Sequence, residues 1–151
     1  MLDLEAIELI KQLKARYFRF LDSGDLDALK TVFTDDIVVD FKSPTYHINY
    51  TGWPELRAFY EQAFTRTKFG MHHGHHPEIS VDGDKATGIW YLHDIFMNTE
   101  DRRQYEGSAI YEDRYVKVDG QWLIAHSGYN RYLEIIRPID DSVEITAVPV
   151  R

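Results

Sequence analysis

Over residues 3–21 the apolar positions Ile7, Ile10, Leu13, Tyr17 and Leu21 recur at three- and four-residue intervals. Lys14 falls in the same stripe, and Glu and Lys fill the opposite face, a pattern that predicts an amphipathic helix. Asp22-Ser23-Gly24-Asp25 stops it: Gly24 suits a left-handed C-terminal position, and Asp25 suits the cap of a second, short helix over residues 26–33. Residues 37–41 are short and β-branched, which predicts a strand. Trp53-Pro54 opens a third helix over 54–65, with proline in the first turn where its missing N–H costs nothing.

Beyond these helices the period changes to two. Residues 78–82, 85–98, 104–118 and 121–133 read as strands, and 143–148 as an added edge strand. Asp82-Gly83-Asp84 and Asp119-Gly120 read as hairpin turns. Helices followed by a long antiparallel meander predict an α+β fold, with the helices packed on one face of a curved sheet. The 151 residues fit one domain, 1–151, without repeat or linker. In the strand 85–98 one face carries Trp90, Leu92, Asp94 and Phe96, the other Ile89, Tyr91, His93 and Ile95. Both are largely apolar. One is expected to meet the helices and the other a second copy of the chain, as a homodimer or homotrimer.

Composition narrows the function classes. A net charge of −8 argues against nucleic acid, which needs a basic footprint. The absence of cysteine removes disulfides, thiolate metal sites and cysteine nucleophiles. No apolar run reaches the length of a membrane span, and residues 1–15 are too charged for a signal peptide, so a cytoplasmic protein is expected. Ten tyrosines and three tryptophans suit a hydrophobic pocket with a few hydrogen-bonding groups.

The candidate chemistry centres on His72, His73, His75 and His76, four of the seven histidines. Imidazole titrates near neutral pH, so such a cluster points to proton transfer or metal ligation. On a regular strand His72 and His76 share one face, and His73 and His75 the other. A His-x-His pair needs a third ligand to hold zinc or iron, and the spacing supplies none, so no metal is expected. His73 and His76 read as surface or structural residues, and spacing leaves open which of His72 and His75 is a base. Asp22 ends the first helix, where the macrodipole disfavours a negative charge. It either closes an Asx-type turn with Ser23 and Gly24 or orients a histidine. Tyr17 carries its hydroxyl inward on the apolar helix face and needs a partner. Asp94 sits between Leu92 and Phe96, and a carboxylate so placed must be paired, protonated or functional. Arg131, alternating with Tyr129 and Leu133, is its expected partner. Nucleophile elbows, glycine-rich phosphate loops and dinucleotide fingerprints are absent from the sequence.

Four segments carry a family resemblance: IKQLKARYFRFLD (10–22), MHHGHHPEI (71–79), ATGIWYLHD (86–94) and YVKVDGQW (115–122). Over residues 7–135 the chain resembles the SnoaL-like branch of the nuclear-transport-factor-2-like superfamily. Within it the chain looks nearest the bile acid 7α-dehydratases and, more distantly, the scytalone dehydratases. That resemblance implies a cone-shaped α+β barrel and a cofactor-independent dehydratase of steroid or polyketide metabolism. It implies catalytic positions at Tyr17, Asp22, His72, Asp94 and Arg131. His75, Trp90, Tyr115 and Tyr129 are the expected substrate-binding positions. The expected reaction removes water from a hydrophobic hydroxylated ketone or enone, with His72 as base. The superfamily reuses one pocket for isomerisation, cyclisation and dehydrohalogenation, so these remain alternatives, as does a non-catalytic small-molecule-binding domain.

Overall fold

The computed structural model describes residues 1–149. Its elements run α1 (Leu4–Ser23), α2 (Leu26–Lys30), β1 (Phe33–Lys42), β2 (His47–Thr51), α3 (Trp53–Ala63), β3 (Lys68–Asp82), β4 (Lys85–Asn98), β5 (Arg103–Val118) and β6 (Gln121–Pro138). Asp3 caps α1 through the Ala6 N–H, and Asp25 caps α2 through the Ala28 N–H. Gly24 ends α1 at φ 71°, where the Gly24 and Asp25 N–H groups return to the last carbonyls of the helix. The chain therefore reverses within one turn of Asp22.

The six strands form one curved, open sheet in the order β2-β1-β6-β5-β4-β3. β3 to β6 are the expected antiparallel meander, and β1 joins β6 in parallel. The cone is thus an unclosed sheet with β2 and β3 at its edges. The helices pack on the inner face, where Ile10, Leu13, Leu21, Leu56, Leu92 and Ile124 are buried. The Asp119-Gly120 turn has both residues at positive φ, and Gly83 also turns at positive φ, as hairpins require.

Several boundaries differ from the sequence reading. The second helix stops at Lys30 because Phe33 is drawn into the sheet beside Ile124. The third starts at Trp53 and ends at Ala63. β2 is an additional strand, whose half-buried Ile48 and Tyr50 alternate with exposed neighbours. β3 begins ten residues before the expected Glu78, so the whole histidine cluster lies in a strand. Residues 143–148 form no strand, since they pair with neither edge of the sheet and so gain no ladder. No helix among the described residues is long and apolar enough to cross a membrane.

Candidate active site

Helices α1 and α3, the β1–β2 hairpin and the inner face of the meander enclose a cavity of about 430 Å³. Its walls are mostly aromatic and aliphatic. Tyr17, Tyr60 and Tyr111 contribute buried phenols, and His72, Asp94, Arg131 and Glu134 contribute charge or proton affinity. Burial pushes the Tyr17, Tyr60 and Tyr111 phenols well above their ordinary value, so they remain neutral hydrogen-bond donors at working pH. The Tyr17 and Tyr60 oxygens stand 3.5 Å apart.

His72 and Asp22 meet across 50 residues of sequence. The Asp22 Oδ1 lies 2.6 Å from His72 Nδ1, and Oδ2 accepts the His72 backbone N–H at 3.0 Å. β3 is an edge strand, so that N–H has no strand partner on its outer side, and the helix end supplies the acceptor. A carboxylate on Nδ1 selects the tautomer with hydrogen there, leaving Nε2 as the basic nitrogen. Phe18 stacks on the imidazole with ring centres 5.9 Å apart and 10° between planes. Gly74 makes this possible. A Cβ at that position would stand 2.3 Å from the Phe18 ring, so the glycine lets α1 press against β3.

Asp94 and Arg131 form a doubly hydrogen-bonded pair, with both guanidinium NH2 groups on the carboxylate at 2.8 and 2.7 Å. The remaining Nε–H donates to the Tyr46 hydroxyl at 3.1 Å, and Tyr46 lies 2.6 Å from the Tyr129 hydroxyl. Burial alone would lower the Arg131 pKa, but the bonds and charge of Asp94 more than reverse this, so the guanidinium stays charged. Gly107 makes room for it, because a Cβ there would meet Arg131 Nη1 at 2.2 Å. The sheet register sets His72, Asp94, Gly107 and Glu134 side by side across four strands. A bulge at residues 131–133, opposite Ser108 and Ala109, turns Leu133 outward, where it is exposed, and brings Arg131 and Glu134 both into the cavity. The alternation of Arg131 with Tyr129 holds; with Leu133 it does not.

All five expected catalytic residues converge here: Tyr17, His72, Asp94 and Arg131 line the cavity, and Asp22 holds His72. Tyr129 lines it too. Three expected substrate-binding residues lie elsewhere. His75 is on the outer face, stacked on Tyr91, because between Met71 and the bulge the odd positions of β3 point away from the helices. Trp90 and Tyr115 belong to the core, where the indole N–H donates to the Tyr115 hydroxyl. His76 does not share a face with His72: it sits at φ 49° in a bulge between His75 and Glu78, which breaks the alternation. Desolvation, followed by neighbouring histidines, lowers the His75 pKa. Among the described residues no three His, Cys, Asp or Glu groups are arranged to hold a metal ion.

Sequence reasoning missed Tyr46 and the pair Lys14–Asp113. Lys14 is fully buried, with Nζ 2.7 Å from Asp113 and 3.6 Å from the Tyr111 ring centre. Asp113 also accepts from Ser127 and Tyr115. Burial lowers the Lys14 pKa, and Asp113 opposes this. The placement of Lys14 in an apolar stripe was the signal for Lys14; nothing in the sequence marks its partner.

A family model for the SnoaL-like domain matches residues 2–127. Among solved structures, a protein assigned as a scytalone dehydratase from Novosphingobium aromaticivorans superposes with a TM-score of 0.78 at 22% identity, covering 97% of this chain and 93% of that one. A function-unknown protein from Mycobacterium tuberculosis is 29% identical with a TM-score of 0.72, covering 85% of this chain and 73% of that one. The hexachlorocyclohexane dehydrochlorinase LinA-type3 of Novosphingobium barchaimii is 16% identical with a TM-score of 0.79, covering 95% and 96%.

Proposed function

The chain belongs to the SnoaL-like domain family, and on that premise we propose that it is a cofactor-independent dehydratase. Its substrate is a hydrophobic hydroxylated ketone or enone of steroid or polyketide type. The observation that carries the reading is the Asp22–His72 pair, which leaves one basic imidazole nitrogen at the wall of a largely aromatic cavity. An imidazole with one nitrogen free to accept is suited to removing a proton activated by an adjacent carbonyl. Tyr17 donates a hydrogen bond to the developing enolate oxygen, a role that preorganised donors fill at a few kcal/mol each. Asp94 has both oxygens engaged by Arg131, so its part is to hold the guanidinium beside the substrate. The sequence likeness to the bile acid 7α-dehydratases makes a hydroxysteroid the first substrate to try.

A panel of hydroxylated ketones followed by mass spectrometry tests this, since dehydration loses water and isomerisation changes no mass. His72→Ala and Asp22→Asn are each expected to slow turnover by about 10²- to 10⁴-fold with unchanged circular dichroism. Near-normal rates in both variants end the proposal. An isomerase, cyclase or dehydrohalogenase would use the same His–Asp pair, and the dehydrochlorinase likeness keeps halide loss in the panel.

A further inference from the structure

The cavity holds a second set of polar groups that the base chemistry leaves unused. Resting on the elimination reading above, we propose that Tyr46 and Tyr129, backed by the Nε–H of Arg131, form a second proton-donating element aimed at the oxygen that leaves the substrate.

Asp94 is poorly suited to that task, because Arg131 occupies both its oxygens and an ionised carboxylate only accepts. The phenol pair is better suited. Two hydroxyl oxygens 2.6 Å apart share one hydrogen, and the Tyr46 oxygen already receives the Arg131 Nε–H at 3.1 Å. One phenolic hydrogen is therefore left over, and both residues line the cavity. The geometry is held from every side. Tyr129 stacks on Phe41 at 4.6 Å and 13° and meets Tyr111 edge-on at 5.3 Å. Tyr46 closes the turn between β1 and β2 through its carbonyl, which accepts the Ser43 N–H at 2.9 Å. Asp94, by gripping the two NH2 groups, directs Nε at Tyr46.

His72 Nε2 takes the proton beside the carbonyl, and the electron pair of that C–H bond becomes the new C=C bond. The C–O bond breaks with its pair on oxygen, which takes the Tyr129 hydrogen and departs as water. The phenolate left on Tyr129 is stabilised by the Tyr46 O–H, itself polarised by the arginine cation. Solvent carries the His72 proton back to it, and both groups are restored. Burial raises the Tyr129 pKa while Arg131 pulls it down, so the phenol stays protonated at working pH. The proton moves as the C–O bond breaks, so the leaving oxygen departs as water and free hydroxide is not formed.

Tyr129→Phe and Tyr46→Phe test the element in the full chain, on a β-hydroxy ketone and on its β-acetoxy counterpart, whose leaving group departs without a proton. Tyr129→Phe is expected to slow the hydroxy substrate about 100-fold and the acetoxy substrate far less, with Tyr46→Phe weaker in the same direction. His72→Ala slows both. Equal losses on the two substrates in Tyr129→Phe mean a merely structural role and overturn the proposal. A second readout needs no turnover: 4-nitrophenolate, followed by its absorbance, offers an oxygen anion to the same donors. Tyr129→Phe is expected to weaken its binding about 10-fold. Unchanged binding in both tyrosine variants overturns the donor element. Tyr129-dependent binding in a wild-type protein that removes water from no ketone supports the donor element and removes the elimination reading instead.

Discussion

Lys14 shows how much one side chain contributes when it is buried with its partner. Its ammonium is fully buried, enclosed by Asp113 and by the rings of Tyr17, Phe18 and Tyr111. Removing one member of such a pair strands the other charge, which typically costs about 3–5 kcal/mol. Lys14→Met is therefore expected to lower unfolding stability by about that amount in urea denaturation. The double variant Lys14→Met/Asp113→Asn is expected to lose less, because the stranded charge goes with it. A loss under about 1 kcal/mol for Lys14→Met would show the pair to be nearly neutral. The same residue marks a boundary of legibility. Its position in the helix stripe is visible in the sequence, but Asp113 lies 99 residues away and looks like any acidic residue of a strand. Tyr46 is similar: a turn tyrosine becomes part of the site only because Arg131 reaches it from β6.

At the scale of elements, the contact of α1 with β3 assembles the base. Gly74→Ala places a methyl group within 2.3 Å of Phe18 Cε2 and 2.8 Å of Cζ. Overpacking of that kind costs about 1–3 kcal/mol. The expected outcome is a lower melting temperature together with slower turnover, as the helix end carrying Asp22 moves away from His72. Phe18→Leu in the same chain is expected to recover part of both, and no change in either would show the contact to be dispensable. The helices were legible within a few residues because caps and stripes are local signals. β3 was legible only in its last third, residues 78–82. Gly70, Gly74 and the histidines have little intrinsic strand preference, and pairing with β4 along the full length holds them extended. The segment 143–148 is the converse, strand-like in composition but left without a partner.

For the whole molecule, the outer face of the sheet decides how the protein behaves in solution. Ile89 and Tyr91 are 42% and 43% exposed there, and the register sets Met71 beside Ile95, with Glu106 between Ile95 and Ile135. Such a face favours self-association. Light scattering is expected to give two or three times the 17.7 kDa chain mass, with Tyr91→Glu shifting it toward one. A wild-type monomer at all concentrations tested would refute the dimer or trimer. The sequence by itself determined the helices, the antiparallel meander and the α+β class, since each follows from local periodicity, capping or turn signals, and it offered Asp22 and His72 among its candidates. Tertiary structure alone decided which side chains share the cavity. Bulges at His76 and Tyr132 reset which residues face inward, and Gly74 and Gly107 open space for Phe18 and Arg131. Those choices rest on close packing between segments far apart in the chain, where a shift of one residue reverses the face that a side chain occupies. His72 was legible as a candidate base; its helix-borne carboxylate and the phenol pair across the cavity became a site only when the sheet curved around them.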